Sequence, residues 1–279
     1  MYLLITGASG HIGSAIANEC NKRKIKTILL TRSKKKKIQL KRMFNNCVVK
    51  TINGLKTKDE ISFVIHTASL NDKESNRAKD SVKISLDITK KIFSKINIKN
   101  LKKIIYLSTA QVYGANLSNF VDEKTKLKPI NNYGTSRVFN EQFLEKLAIK
   151  NKLNLSIVRI SNVVGEPIVY NKKCLRLLPN DIKHQAKKFK SIKLKSSGLQ
   201  LRNFVSLENT TRTLIKLIKL KNYGVQKLNL GGINTSVLSF VKKFIYFYEK
   251  KNKQKLKLYI EKNTPKKVSK LNYTDFRLR

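Results

Sequence analysis

The sequence predicts an α/β fold, a doubly wound parallel sheet with a small C-terminal lobe for substrate. Three observations predict it. Short apolar runs alternate with longer helical patterns through the first 160 residues, and a glycine-rich turn follows the first run. The runs are rich in Ile, Leu and Val with little polar alternation, as strands buried on both faces are. They lie at Tyr2–Thr6, Lys26–Thr31, Cys47–Lys50, Phe63–Thr67, Lys103–Ser108 and Asn154–Ile160. Helical patterns fall between them at about 11–23, 76–97 and 134–150. Such alternation is what parallel strands joined by crossover helices produce. The stretch from Thr51 to Ser62 is too short for a crossover helix, so the alternation is expected to lapse there. After Ser161 the pattern loosens, with helices expected around Asp181–Phe189, Leu207–Leu220 and Val237–Lys250 and a strand near Lys227–Leu230.

Composition removes several classes. At 279 residues and 41% hydrophobic content the chain can bury a full core, so disorder is excluded. No run approaches the roughly 18 apolar residues that span a bilayer. The opening MYLLITGASG enters a strand at once, without a basic leader and cleavage site, and a cytoplasmic location is expected. Cys20, Cys47 and Cys174 are scattered and read as reduced thiols, and His11, His66 and His184 do not cluster, so no metal is expected. The charge is unusual, with 60 basic residues against 17 acidic ones and a formal net charge of +43. An AT-rich coding sequence explains a Lys/Asn/Ile excess but not the deficit of acids. A field this positive attracts polyanions, whether nucleic acid, an anionic membrane face or a diphosphate substrate. Apart from Lys34 to Lys37 the lysines are dispersed and lack regular aromatic interleaving, so no specific nucleic-acid partner is expected.

The first turn carries the strongest chemistry. Thr6-Gly7-Ala8-Ser9-Gly10-His11-Ile12-Gly13 closes the first strand and opens the first helix. Small residues there allow a tight turn and let backbone approach a pyrophosphate, while the helix N-terminus offers free N–H groups and partial positive charge. Gly7, Ser9, Gly10, His11, Ile12 and Gly13 are therefore candidate cofactor contacts, and the fold is of Rossmann type. Residues 1–165 read as the dinucleotide-binding core, and 166–279 as a mixed lobe with returning core elements. After the second strand, Thr31-Arg32-Ser33-Lys34 places a guanidinium and a hydroxyl where an acidic residue would bind the ribose of NAD. Arg32 and Ser33 suit a 2′-phosphate, so NADP is favoured over NAD.

The motifs that follow extend this in order. Val64-Ile65-His66-Thr67-Ala68-Ser69 resembles VIHxAA, and Leu107-Ser108-Thr109-Ala110-Gln111-Val112-Tyr113-Gly114 resembles SS/TxxVYG. Tyr133-Gly134-Thr135-Ser136-Arg137 with Glu141 is similar to YGxSK…E. Arg159-Ile160-Ser161-Asn162-Val163-Val164-Gly165 resembles RxxNxyG, and Arg202-Asn203-Phe204-Val205 resembles RDFxxV. With the glycine turn as TGxxGxxG, the chain resembles the extended short-chain dehydrogenase/reductase family, in its epimerase/dehydratase group, over most of its length.

The resemblance implies roles. Tyr133 is the general acid/base, sharing a proton with a sugar oxygen while hydride moves to or from the nicotinamide, and Thr109 holds the same oxygen. Thr67 and Ala68 touch the cofactor. Asn162 and Arg202 contact the substrate's diphosphate. The family places a lysine four residues after the tyrosine, where its charge stabilises the phenolate and its amine holds the nicotinamide ribose. Position 137 is arginine instead. Arg137 keeps the charge, but its planar fork differs from a compact ammonium. Three readings stay open: substitution with modest loss, severe slowing, or a site that no longer catalyses. Ser85 stands where the family has a bracing asparagine, and Ala110-Gln111 where dehydratases carry Asp-Glu, which argues against dehydration. The leading expectation is an NADP-linked enzyme reducing a 4-keto group on a nucleotide-activated sugar, such as feeds surface polysaccharide synthesis. An epimerase is the alternative, and a cofactor-binding sensor without turnover is the rival from another class. Homodimerisation through the helix carrying Tyr133 is an expectation from the family alone.

Overall fold

The computed structural model describes residues 1–114, 121–169, 174, 177–220 and 223–261. The first half alternates β1 (Tyr2–Thr6), α1 (His11–Lys22), β2 (Thr27–Thr31), α2 (Lys34–Met43), β3 (Cys47–Thr51) and β4 (Ile61–His66). Two helices follow, α3 (Asp72–Arg77) and α4 (Ser81–Phe93), then β5 (Lys103–Thr109), α5 (Asn132–Lys150) and β6 (Asn154–Ile160). The second half holds β7 (Asn162–Val164), α6 (Leu178–Phe189), β8 (Ser191–Leu194), β9 (Leu201–Ser206), α7 (Leu207–Lys219), β10 (Val225–Leu230), β11 (Ile233–Ser236), α8 (Val237–Asn252) and β12 (Lys257–Ile260).

Seven parallel strands form the main sheet in the order β10-β6-β5-β4-β1-β2-β3. Side chains alternate across it. Leu3 and Ile5 face one apolar layer with Ile16 and Cys20 of α1, Leu40 of α2 and Leu214 of α7. Leu4 faces the other, with Ile92 and Phe93 of α4 and Leu144 and Ala148 of α5. Each fully buried Leu or Ile contributes about 1.5–3 kcal/mol, so these two layers hold the sheet. Because β2 and β4 flank β1, the chain leaves the carboxyl ends of β1 and β4 toward opposite faces. That divergence opens a crevice at the switch point, where open α/β sheets take their ligands.

The six strands expected in the first 160 residues and the one expected near Lys227–Leu230 are present with small shifts at their ends, and a 3₁₀ turn (Ile52–Gly54) is the helical structure between β3 and β4. Helix α2 was not expected. Only Leu40 is buried along it, so no apolar period marks the Lys34–Lys37 run as helical. The one helix expected over 76–97 is two, because a capping box of Asn71 and Glu74 starts α3 early and Ala78 is extended. The lobe adds a three-stranded sheet, β11-β9-β7, and a pair, β12-β8, whose short strands leave little pattern to read.

Candidate functional site

The crevice is a cavity of about 740 Å³ at the carboxyl ends of the central strands. It is lined by Gly7, Ser9, Gly10, His11, Ile12 and Gly13, by Arg32 and Ser33, and by Thr67 and Ala68. Thr109, Tyr133, Arg137 and Asn162 line it as well. The cavity also gathers residues to which sequence reading assigned no ligand role, among them Lys36, Gln111, Ser161 and Cys174. Arg202 is not among the lining residues. It lies on β9 opposite Thr235 of β11, half-buried.

The glycine turn is shaped by close approach. Gly7 has φ +65°, and a Cβ there would come within 2.7 Å of Thr67 Oγ1. A Cβ on Gly13 would collide with the Gly7 carbonyl oxygen. The N-cap of α1, Gly10, makes no side-chain cap, so the first turn keeps N–H groups for an anion. His11 is used differently: its Nε2 lies 2.9 Å from the Gly165 carbonyl oxygen and ties the loop to the end of β7. Burial lowers its pKa, so the imidazole is neutral and Nε2–H is the donor.

A chain of buried hydrogen bonds fixes the opposite wall. Thr6 Oγ1 accepts the N–H groups of Thr67 and Ala68, each at 3.1 Å, so its own proton goes to His66 Nδ1 at 2.8 Å. His66 Nε2–H then donates to Thr89 Oγ1 at 3.0 Å, and Thr89 donates to the Ser85 carbonyl at 3.3 Å. The order follows from counting protons and assigns the neutral Nε2–H tautomer. Burial, aided by the Arg137 charge, pushes the His66 pKa down to about 3. Its ring stacks on Tyr106 with centroids 5.6 Å apart, so it packs at the end of β4. Ser85 Oγ sits 3.2 Å from Ser69 Oγ and accepts from Asn140 Nδ2 at 3.2 Å. An amide is thus present beside Ser85, and it comes from α5. Sequence reading missed Asn140, because its seven-residue offset from Tyr133 carries no motif.

Tyr133 and Arg137 stand one turn apart on α5. Arg137 Nη2 donates to the Tyr133 hydroxyl at 3.2 Å and Nη1 to the Leu107 carbonyl at 3.2 Å. The guanidinium carbon lies 4.8 Å from the Tyr133 ring centroid. Burial opposes its charge, but the Tyr133 and Tyr106 phenols outweigh it and hold the guanidinium pKa above its ordinary value. Arg137 Nε has no partner among the described residues.

Thr109 is placed by two ties. Its Oγ1 accepts the Gln111 N–H at 3.3 Å. Gln111 Oε1 accepts from Asn131 Nδ2 at 3.1 Å, and Asn131 Oδ1 caps α5 through the Gly134 N–H at 2.8 Å. The Thr109 turn and the start of the Tyr133 helix are therefore one hydrogen-bonded unit. Behind them Arg159 makes a two-pronged pair with Glu141, its Nη2 2.8 Å from Oε2, and Ser108 also donates to Glu141. Arg159 Nη1 reaches the Tyr113 hydroxyl at 2.9 Å, and that hydroxyl donates to Asn229 Oδ1 at 2.7 Å. Val112-Tyr113-Gly114 thus packs and turns. Asn162 Nδ2 donates to the Asn203 carbonyl at 2.9 Å, anchoring β7 to β9. All three cysteines are free thiols, and no group of three metal ligands occurs among the described residues. No described helix is long and apolar enough to cross a membrane.

A model of the NAD dependent epimerase/dehydratase family matches residues 3–231. The chain belongs to this family. Among curated proteins, this epimerase/dehydratase chain is 27% identical over 199 residues to a dTDP-D-glucose 4,6-dehydratase of Homo sapiens. That match covers 70% of the chain and 55% of the human protein, so the chain spans about half of that relative's length. An ADP-L-glycero-D-manno-heptose-6-epimerase of Brachyspira hyodysenteriae is 24% identical over 246 residues, covering 83% of the chain and 74% of that protein. Among solved structures, UDP-glucuronic acid 4-epimerase of Bacillus cereus, in complex with NAD and a UDP-sugar, superposes with a TM-score of 0.77 at 21% identity. The superposition covers 95% of this chain and 87% of that one. UDP-glucose 4-epimerase of Thermotoga maritima gives a TM-score of 0.78 at 20% identity, covering 97% and 88%. At these identities the structures establish the epimerase/dehydratase fold.

Proposed function

We propose that this family member is an NADP-linked oxidoreductase that reduces a 4-keto group on a nucleotide-activated sugar. The observation that carries the reading is the Arg137 guanidinium bonded to the Tyr133 hydroxyl at 3.2 Å on the cavity wall. The family's tyrosine–cation pair is kept although the cation has changed. The cavity suits a dinucleotide: bare glycine backbone and an uncapped helix N-terminus meet a pyrophosphate, and Arg32, Ser33 and Lys36 meet a 2′-phosphate at the same cavity. When bound, the dinucleotide supplies and accepts hydride.

The chain's own groups handle the oxygen and its proton. Thr109 Oγ1 accepts from the Gln111 N–H, which leaves the Thr109 proton to donate to the sugar oxygen. Tyr133 delivers its phenolic proton to that oxygen as the carbonyl becomes a hydroxyl. Arg137 donates to the phenolate left behind and stabilises its charge. A guanidinium is always protonated, so it holds charge without relaying the proton, and Tyr133 is recharged from solvent. Asn140, beside Ser85, takes the bracing place of the family asparagine. Asn162 is the contact for the substrate's diphosphate; Arg202, on β9 and not among the cavity's lining residues, is given no contact there. Ala110-Gln111 supplies no acid pair after Thr109, which favours reduction over dehydration.

A second reading, epimerisation, is favoured by the heptose-6-epimerase match, which runs along most of the chain. Titration with NADPH and NADH, followed by turnover of a UDP-4-keto-sugar with each, separates the readings. Preferential NADPH binding with net oxidation supports reduction. Tight NAD retention without net consumption supports epimerisation, and failure to bind either dinucleotide overturns both. Tyr133→Phe is expected to lower kcat at least about 100-fold. Arg137→Lys distinguishes a site built around arginine, where the rate falls, from a compromised one, where it rises.

A further inference from the structure

The lobe holds a second cavity of about 740 Å³, apart from the residues proposed for reduction. Its floor is Phe204 and Val205 of β9 and Ile233 and Thr235 of β11. One wall is a stripe of α8 at Phe240, Lys243, Phe244, Phe247, Tyr248 and Lys251, and the other is Lys183 and Lys187, one turn apart on α6. Phe204 and Phe240 stack at 4.4 Å, so the floor is firm. A helical stripe with spacings of three and four is normally covered by another element. Here Phe247 is 64% and Ile233 70% exposed. An uncovered apolar groove with a charged rim marks a binding site.

The rim decides the occupant. Among the described residues, four lysines stand around the groove with one carboxylate, Glu166, which pairs with Lys183. Among the described residues Lys187, Lys243 and Lys251 have no carboxylate partner. Residues 262–279 are themselves basic, with Asp275 their single acid, and a second copy brings another +43. Both are repelled by this rim. The cavity falls within the usual range for small-molecule sites of about 300–1,000 Å³. We infer that the groove binds a single-chain anionic amphiphile, its hydrocarbon chain on the Phe204–Phe247 surface and its carboxylate or phosphate head on Lys187 and Lys251.

The test titrates the full chain with dodecyl phosphate and with dodecyl maltoside below their micelle-forming concentrations, measuring NADPH binding in the same samples. The expected result is saturable one-to-one binding of dodecyl phosphate, at least about tenfold tighter than the maltoside and weakened by salt. Phe247→Asp, and separately Lys187→Glu with Lys251→Glu, are expected to weaken it about tenfold or more while NADPH affinity stays unchanged. These side chains are exposed, so the fold tolerates the changes. Equal binding of phosphate and maltoside overturns the inference, as does no saturable binding of dodecyl phosphate. Capture of an acidic amphipathic peptide in preference to both also overturns it, reassigning the groove to a protein partner. NADPH binding is read independently, so failure here leaves the proposed reaction standing.

Discussion

His66 is neutral because it is buried, and that has a consequence with a definite sign. Its folded pKa is about 3, against an ordinary value of 6.5. As pH falls below 6.5 the unfolded chain takes up a proton that the folded chain refuses, so stability is lost progressively toward pH 3. The loss from pH 7 to 5 is about 2 kcal/mol. Thermal unfolding across that range should show it, and His66→Asn should flatten this part of the profile while lowering stability at pH 7. An unchanged profile in the variant would mean that other groups govern acid unfolding. Arg137 obeys the opposite logic. It stays charged in burial because two phenols and a carbonyl face it, whereas a histidine with hydroxyl neighbours does better uncharged.

Two elements carry the site, and each offers a test. The glycine turn depends on backbone proximity, so Gly13→Ala should displace the Gly7 carbonyl and weaken NADPH binding at least about tenfold. Unaltered affinity would mean the turn is not the pyrophosphate cradle. Behind the Thr109 strand, the buried Glu141–Arg159 pair is 3% and 2% exposed. Glu141→Ala leaves the guanidinium uncompensated and should cost about 3–5 kcal/mol, read by denaturant unfolding. Ser108 donates to Glu141 next to Thr109, so kcat should fall in whatever fraction remains folded. A stable, fully active variant would show that the brace is dispensable. Helix α2 illustrates why element reading fails locally. Ser33 accepts from the Lys36 N–H at 3.4 Å and caps it, yet one buried residue leaves no period to detect.

At the scale of the molecule the +43 charge acts through its field. If the crevice takes the proposed anionic dinucleotide, this field draws it in, and NADPH association should slow several-fold as ionic strength rises from about 0.01 to 0.15 M, where the Debye length shrinks from about 30 to 8 Å. Stopped-flow binding measures this. A rate independent of salt would confine the charge to the surface, with no steering role. Arg32 should contribute beyond this general field, because it lines the cavity itself. Arg32→Ala is therefore expected to weaken NADPH binding relative to NADH more than loss of a lysine distant from the cavity does.

The amino-acid sequence by itself determined the strand order's raw material, the glycine turn and the motif residues Thr109, Tyr133 and Asn162 that line one cavity. These are legible because strand periodicity and turn chemistry are local, and because motif spacing is preserved wherever the chain folds. The two-faced packing of Leu3, Leu4 and Ile5 follows from the same local rule. Only the tertiary structure decided that His11 reaches Gly165, 154 positions away, and that Asn140 meets Ser85. It alone left Arg202 outside the cavity wall and gathered the lysine-rimmed groove from α6, α8, β9 and β11. Those contacts join segments far apart in the chain, and no local pattern encodes which side chains the crossing of helices and sheets will bring together.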